Sequence, residues 1–93
     1  MARPSSEGVF AISVAADMVA MEIQNLRVYE RHGLVDPDRT AGGTRRYSQA
    51  DIERLLRIRG LLAAGLNLAG VARVLELEDE VARLRAEITR RRG

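Results

Sequence analysis

The chain has 93 residues, 46% hydrophobic and 30% charged, with no cysteine, no tryptophan and a formal net charge of +2. That length holds one small domain with an appended helix and no second catalytic domain, and a chain this short gains stability from a partner copy. Without cysteine there is no disulfide framework, no thiolate metal site and no cysteine nucleophile, and no apolar run approaches the roughly 18 to 20 residues that span a bilayer.

Taken along the chain, residues 1–9 read as a disordered leader, polar and carrying proline and glycine. The apolar run Val9-Phe10-Ala11-Ile12 suits one brief strand. Ser13 is placed to cap a short helix over 14–18. A break near Val19-Ala20-Met21 leads to a second helix over 22–31, which His32-Gly33 ends, Gly33 taking the left-handed conformation. Leu34-Val35 and Asp36-Pro37-Asp38 make an extended step and a turn. From Arg39 to Tyr47 the glycine pair in Thr40-Ala41-Gly42-Gly43-Thr44 marks a hairpin tip.

Ser48-Gln49-Ala50-Asp51 has capping-box spacing and opens a third helix carrying Ile52, Leu55, Leu56 and Leu62. Gly65 stops it. Asn67 caps a fourth helix that begins at Leu68 and meets no breaker before residue 92. On that helix Val74, Leu77, Val81, Leu84 and Ile88 alternate steps of three and four, a heptad seam suited to dimerisation.

Two short helices joined by a tight turn suggest a helix-turn-helix. At roughly 100° per residue, Gln24, Arg27, Val28 and Arg31 share one face of the second helix. Ile23, Leu26, Tyr29 and Glu30 lie opposite, with Asn25 between, and the apolar side is expected to pack on Met18 and Val19. The polar face suits a major groove, with Gln24 for adenine, Arg27 for guanine and Val28 for a thymine methyl; an ordinary solvated helix face has the same pattern. All fifteen basic residues are arginine, which bonds phosphates and guanine edges in a bidentate way, although a GC-rich genome gives the same bias through its codons. Between residues 39 and 59 stand six arginines against Asp51 and Glu53. A basic hairpin beside a helix-turn-helix is a wing, which grips phosphates or enters the minor groove.

From Asn25 to Ser48 the sequence NLRVYERHGLVDPDRTAGGTRRYS resembles the MerR family of winged-helix transcription regulators, at Leu26, Arg27, Tyr29, Glu30, Gly33, Leu34, Pro37, Arg39, Gly43, Arg45 and Tyr47. Within the family, ISVAADM, the wing and GLNLAGVARVLELE look most like heat-shock repressors of the HspR type. The resemblance implies a mainly α fold, a winged helix-turn-helix with a small β-hairpin wing and a C-terminal dimerisation helix. It divides the chain into the leader, a DNA-binding domain over 10–77 and a coiled-coil-like extension over 78–93. Family members commonly pair this helix antiparallel. Glu78, Glu80, Arg85, Glu87 and Arg92 beside the seam suit a parallel pair equally, so the direction stays open.

The expected contacts to double-stranded DNA are Ser13, Gln24, Asn25, Arg27, Val28, Tyr29, Arg31, Arg39, Thr44, Arg45, Arg46 and Tyr47, the two tyrosines serving the core equally well. Several positions depart from the family pattern: Asn25 for threonine, Val28 for the first tyrosine, Ala20 for the turn glycine, and acidic Glu22 opening the recognition helix. His32 reads as a helix-end residue. No metal or cofactor is expected, and thiolate sensing is excluded; a DnaK-like chaperone co-repressor enters by resemblance alone. The sequence thus points to a cytoplasmic, nucleoid-associated regulator without enzymatic activity, a repressor acting as a homodimer. A promoter-distorting activator, an excisionase-like architectural protein and a protein-interaction adaptor are the alternatives.

Overall fold

Backbone hydrogen bonding in the computed structural model, which describes residues 6–93, divides the chain into β1 (Gly8–Phe10), α1 (Ile12–Val19), α2 (Ile23–Arg31), β2 (Asp38–Arg39), β3 (Arg45–Ser48), α3 (Gln49–Ala63) and α4 (Leu68–Arg92). These elements fall into two compact units that divide after Gly60. The fold is mainly α with a small antiparallel sheet, as expected. Among the described residues no helix is long and apolar enough to cross a membrane.

The sheet has the order β1-β3-β2. β2 and β3 form the expected hairpin, with Asp38 opposite Arg46 and Arg39 opposite Arg45. β1 adds to the other edge of β3, with a bulge between Gly8 and Phe10. Gly8 is what permits this approach: a Cβ there would stand 2.5 Å from the Arg46 carbonyl oxygen and 2.9 Å from the Asp38 Cβ. Its N–H donates to the Asp38 carboxylate at 3.1 Å. Gly8 and Val9, expected in the leader over 1–9, are strand instead; residues 1–5 of that expectation lie outside the described residues.

The start of α1 also differs from expectation. Its N-cap is Ala11, with no side-chain cap bond, and Ser13 sits in the first turn. The helix begins as soon as β1 ends, so the Ala11 carbonyl already accepts the Ala15 N–H at 2.9 Å. The buried face of α1 is Ala15, Ala16 and Val19, while Met18 is 44% exposed. Met18 lies about a quarter-turn outside that face, so Val19 alone of the expected pair is core.

α1, α2 and α3 end in one way. The N–H of Met21, Leu34 and Leu66 reaches back to the carbonyl of Ala16, Tyr29 and Leu61 at 3.0, 2.9 and 3.2 Å. Such a six-to-one closure needs a left-handed residue just before the donor. Gly33 and Gly65 supply it at φ +73° and +100°, but in the turn between α1 and α2 it is Ala20, at φ 55°. Ser48 and Asp51 form a reciprocal capping box, each side chain accepting the other's backbone N–H at 2.9 Å, and Asn67 caps α4 by accepting from Gly70 at 2.9 Å.

In the first unit Val19, Leu26, Tyr47, Leu55 and Ile58 are sealed from solvent. Two α3 arginines of the basic cluster between residues 39 and 59 are tied into this unit. Arg54 donates to the Leu34 carbonyl at 2.9 Å, and Arg59 donates to the Val19 carbonyl at 2.6 Å. Both satisfy acceptors that the ends of α2 and α1 leave open. In the second unit Leu61, Val71 and Leu75 are buried.

An alanine Cβ in the left-handed region is strained by about 1–2 kcal/mol, of which glycine returns part through its looser unfolded chain. Ala20→Gly is expected to stabilise the protein by about 1 kcal/mol or less and to raise Tm by up to several degrees, read by thermal denaturation.

Candidate functional site

α2 is an amphipathic helix with its polar face open. Leu26 and Tyr29 are buried, Ile23 and Val28 are half-buried, and Gln24, Asn25, Arg27 and Arg31 are exposed. Glu22 caps the helix through its backbone only, without a side-chain bond, and its side chain is exposed with Ser13 of α1. α1 packs on α2, which leaves a helix-turn-helix whose second helix presents amide and guanidinium groups outward.

Both tyrosines are core residues. Tyr47 is fully buried and Tyr29 is 5% exposed. The Tyr47 hydroxyl has no hydrogen-bond partner among the described residues. Burial raises the pKa of Tyr29; for Tyr47 burial is again the main cause, with the Glu30 carboxylate adding to it. A sealed hydroxyl does not reach a phosphate, so Tyr47 leaves the expected set of DNA contacts.

The wing tip is closed by the Thr40 N–H donating to the Thr44 carbonyl at 2.8 Å and the Gly43 N–H to the Thr40 carbonyl at 2.9 Å. The Thr40 hydroxyl accepts from the Thr44 N–H at 3.2 Å. Gly43 holds φ +85°, which explains the glycine there.

Behind the tip stands a contact that the sequence reading missed. Arg39 and Arg45 face each other across the hairpin, and like charges so placed repel. Glu30, from the last turn of α2, lies between them: one carboxylate oxygen accepts from Arg39 at 2.5 Å and the other from Arg45. Arg39 also donates to the Gly43 carbonyl at 3.1 Å. Burial pushes the Glu30 carboxyl up, but the Arg45 hydrogen bond and the charges of Arg45 and Arg39 outweigh it, and the pKa lies below its ordinary value. The signal available in the sequence was the hairpin register itself: two opposed arginines repel, and a carboxylate between them relieves it. Arg46, the neighbour along β3, points to the other sheet face and has no ion-pair partner among the described residues.

His32 is exposed at the end of α2, and the described residues hold no group of side chains suited to a metal. In the second unit, Leu77, Val81, Leu84 and Ile88 are 42–52% exposed, and Val74 is half-buried. Along this face of α4 runs an open groove of about 430 Å³, lined by Val74, Leu77, Glu78, Val81, Ala82 and Arg85.

The family described as MerR HTH family regulatory protein matches residues 10–78. The HspR heat shock protein of Streptomyces coelicolor is 53% identical over 79 residues, covering 84% of this chain and 52% of that protein. The HTH-type transcriptional regulator GlnR of Bacillus anthracis is 39% identical over 74 residues, covering 80% and 57%. The chain thus spans about half the length of these relatives. Among solved structures, the Ralstonia metallidurans transcription regulator crystallised with lead(II) superposes with a TM-score of 0.71 at 25% identity, over 90% of this chain and 78% of that one. HiNmlR, a MerR family regulator bound to promoter DNA, superposes with a TM-score of 0.67 at 21% identity, over 87% and 74%.

Because the folded-state pKa of Glu30 lies below the ordinary value of 4.5, the unfolded chain takes up this proton first as pH falls. The stability contributed by the ion pairs is therefore complete above that value and is lost as pH drops through the folded pKa. Glu30→Gln is expected to lower stability at neutral pH and to flatten the acid limb of the stability profile, as measured by urea denaturation across the acidic range.

Proposed function

Because this chain belongs to the MerR HTH family of regulatory proteins, we propose that it is a sequence-specific DNA-binding transcription regulator, a homodimer that represses by occupying a near-palindromic operator. The observation that carries this reading is the open polar face of α2, with Gln24 and Arg27 exposed one turn apart. An amide pairs with adenine, and a guanidinium with guanine, in the major groove.

Asn25, Val28 and Arg31 lie within reach of the same groove. Ser13 at the start of α1, with Thr44 and Arg46 on the wing, supplies contacts to the backbone, which set position without reading sequence. Arg39 and Arg45, engaged with Glu30, serve to fix the wing. The α4 seam, exposed and apolar at a heptad spacing, supplies the dimer contact, and two copies would then place two recognition helices on two half-sites.

Gln24→Ala and Arg27→Ala are each expected to cost about 1–3 kcal/mol on the operator and to relax preference at one base pair, measured by selection of bound sequences followed by titration. In sedimentation equilibrium the intact protein should be a dimer at micromolar concentration and Leu84→Glu a folded monomer. A wild-type chain that sediments only as monomer would instead favour an architectural DNA-binding protein.

A further inference from the structure

We infer that Glu30 limits the sequence-independent part of DNA binding, by holding Arg39 and Arg45 in ion pairs that withhold two of the three wing arginines from phosphate. The inference rests on the DNA-binding reading above. Phosphate contacts add affinity for any duplex, and each one steepens the salt dependence of log K by about 0.9. A wing with Arg39, Arg45 and Arg46 all directed at the backbone would bind every sequence tightly.

The geometry opposes that arrangement. Arg39 and Arg45 share one sheet face because they are opposed across the hairpin, and the Glu30 carboxylate on that face engages both. The Glu30 side chain is only 17% exposed, against 46% for Arg39. A phosphate that drew the arginines away would leave a largely buried carboxylate uncompensated, which is the costly way to break an ion pair. Arg39 is further held by the Gly43 carbonyl. Arg46, alternate along β3, lies on the opposite face and outside this arrangement. Glu30 is thus a positioning residue: it sets which wing cations meet DNA without meeting DNA itself.

The test is a salt titration of the full chain and its variants on a random-sequence duplex, with circular dichroism confirming the fold of each. Wild type should show a salt-dependent affinity. Arg46→Gln should make the slope shallower by about 0.9, whereas Arg39→Gln and Arg45→Gln should leave it unchanged. Folded Glu30→Gln should steepen it by about 1 to 2 and tighten binding to the random duplex. If Glu30→Gln unfolds, the comparison of Arg45→Gln with Arg46→Gln still decides. Equal losses of slope in Arg45→Gln and Arg46→Gln, or an unchanged slope in folded Glu30→Gln, would overturn the role of Glu30 while leaving the DNA-binding reading intact. A wild type that shows no salt-dependent binding would remove that reading as well.

Discussion

One carboxylate joins the two parts of the molecule that a duplex would meet. Glu30 sits on the last turn of α2, and its two oxygens reach both strands of the hairpin. Without it, Arg39 and Arg45 would repel each other across adjacent strands, and the hairpin would have no charged tie to the helix. With it, the hairpin and α2 are tied together, and the orientation of one constrains the other. The same pairing alters the meaning of the basic stretch between residues 39 and 59: Arg39, Arg45, Arg54 and Arg59 all make internal contacts. Arginine serves here as much to bind carbonyls and a carboxylate within the fold as to face a nucleic acid, and its forked guanidinium suits both tasks.

The ends of the helices are the second organising constraint. Three times the chain reverses through a left-handed residue followed by a six-to-one hydrogen bond. At Gly33 and Gly65 that conformation carries no Cβ penalty. At Ala20 it does, and the surrounding contacts hold it nonetheless: the Ala20 N–H bonds back into α1 and Arg59 engages the Val19 carbonyl beside it. The turn between α1 and α2 is therefore held by these contacts, one of them from α3, rather than by its own residue preference.

What could be read from the sequence was what is local. The capping box at Ser48 and Asp51, the cap at Asn67 and the turn glycines at 33, 43 and 65 all act over a few residues, and each stands as the sequence suggested. The amphipathic split of α2 follows from helical periodicity alone. What escaped has long reach along the chain. Glu30 meets Arg45 across 15 residues, Arg54 meets Leu34 across 20 and Arg59 meets Val19 across 40. β1 pairs with β3 because Gly8 lacks a side chain, a reason that becomes visible only when Asp38 and Arg46 are beside it. Serine is a good cap by local preference, but the strand before α1 sets the N-cap at Ala11, and Ser13 falls inside the first turn.

The burial of the tyrosines has an optical consequence. The chain has no tryptophan and two tyrosines, and both are packed inside the first unit. Near-ultraviolet absorbance and tyrosine fluorescence thus originate in that unit, with Tyr47 lying near the Glu30 carboxylate. α4 contributes no aromatic chromophore. The far-ultraviolet signal, by contrast, sums the helices of both units, so a far-ultraviolet change without a matching change in tyrosine emission marks an event that leaves the tyrosine surroundings of the first unit intact.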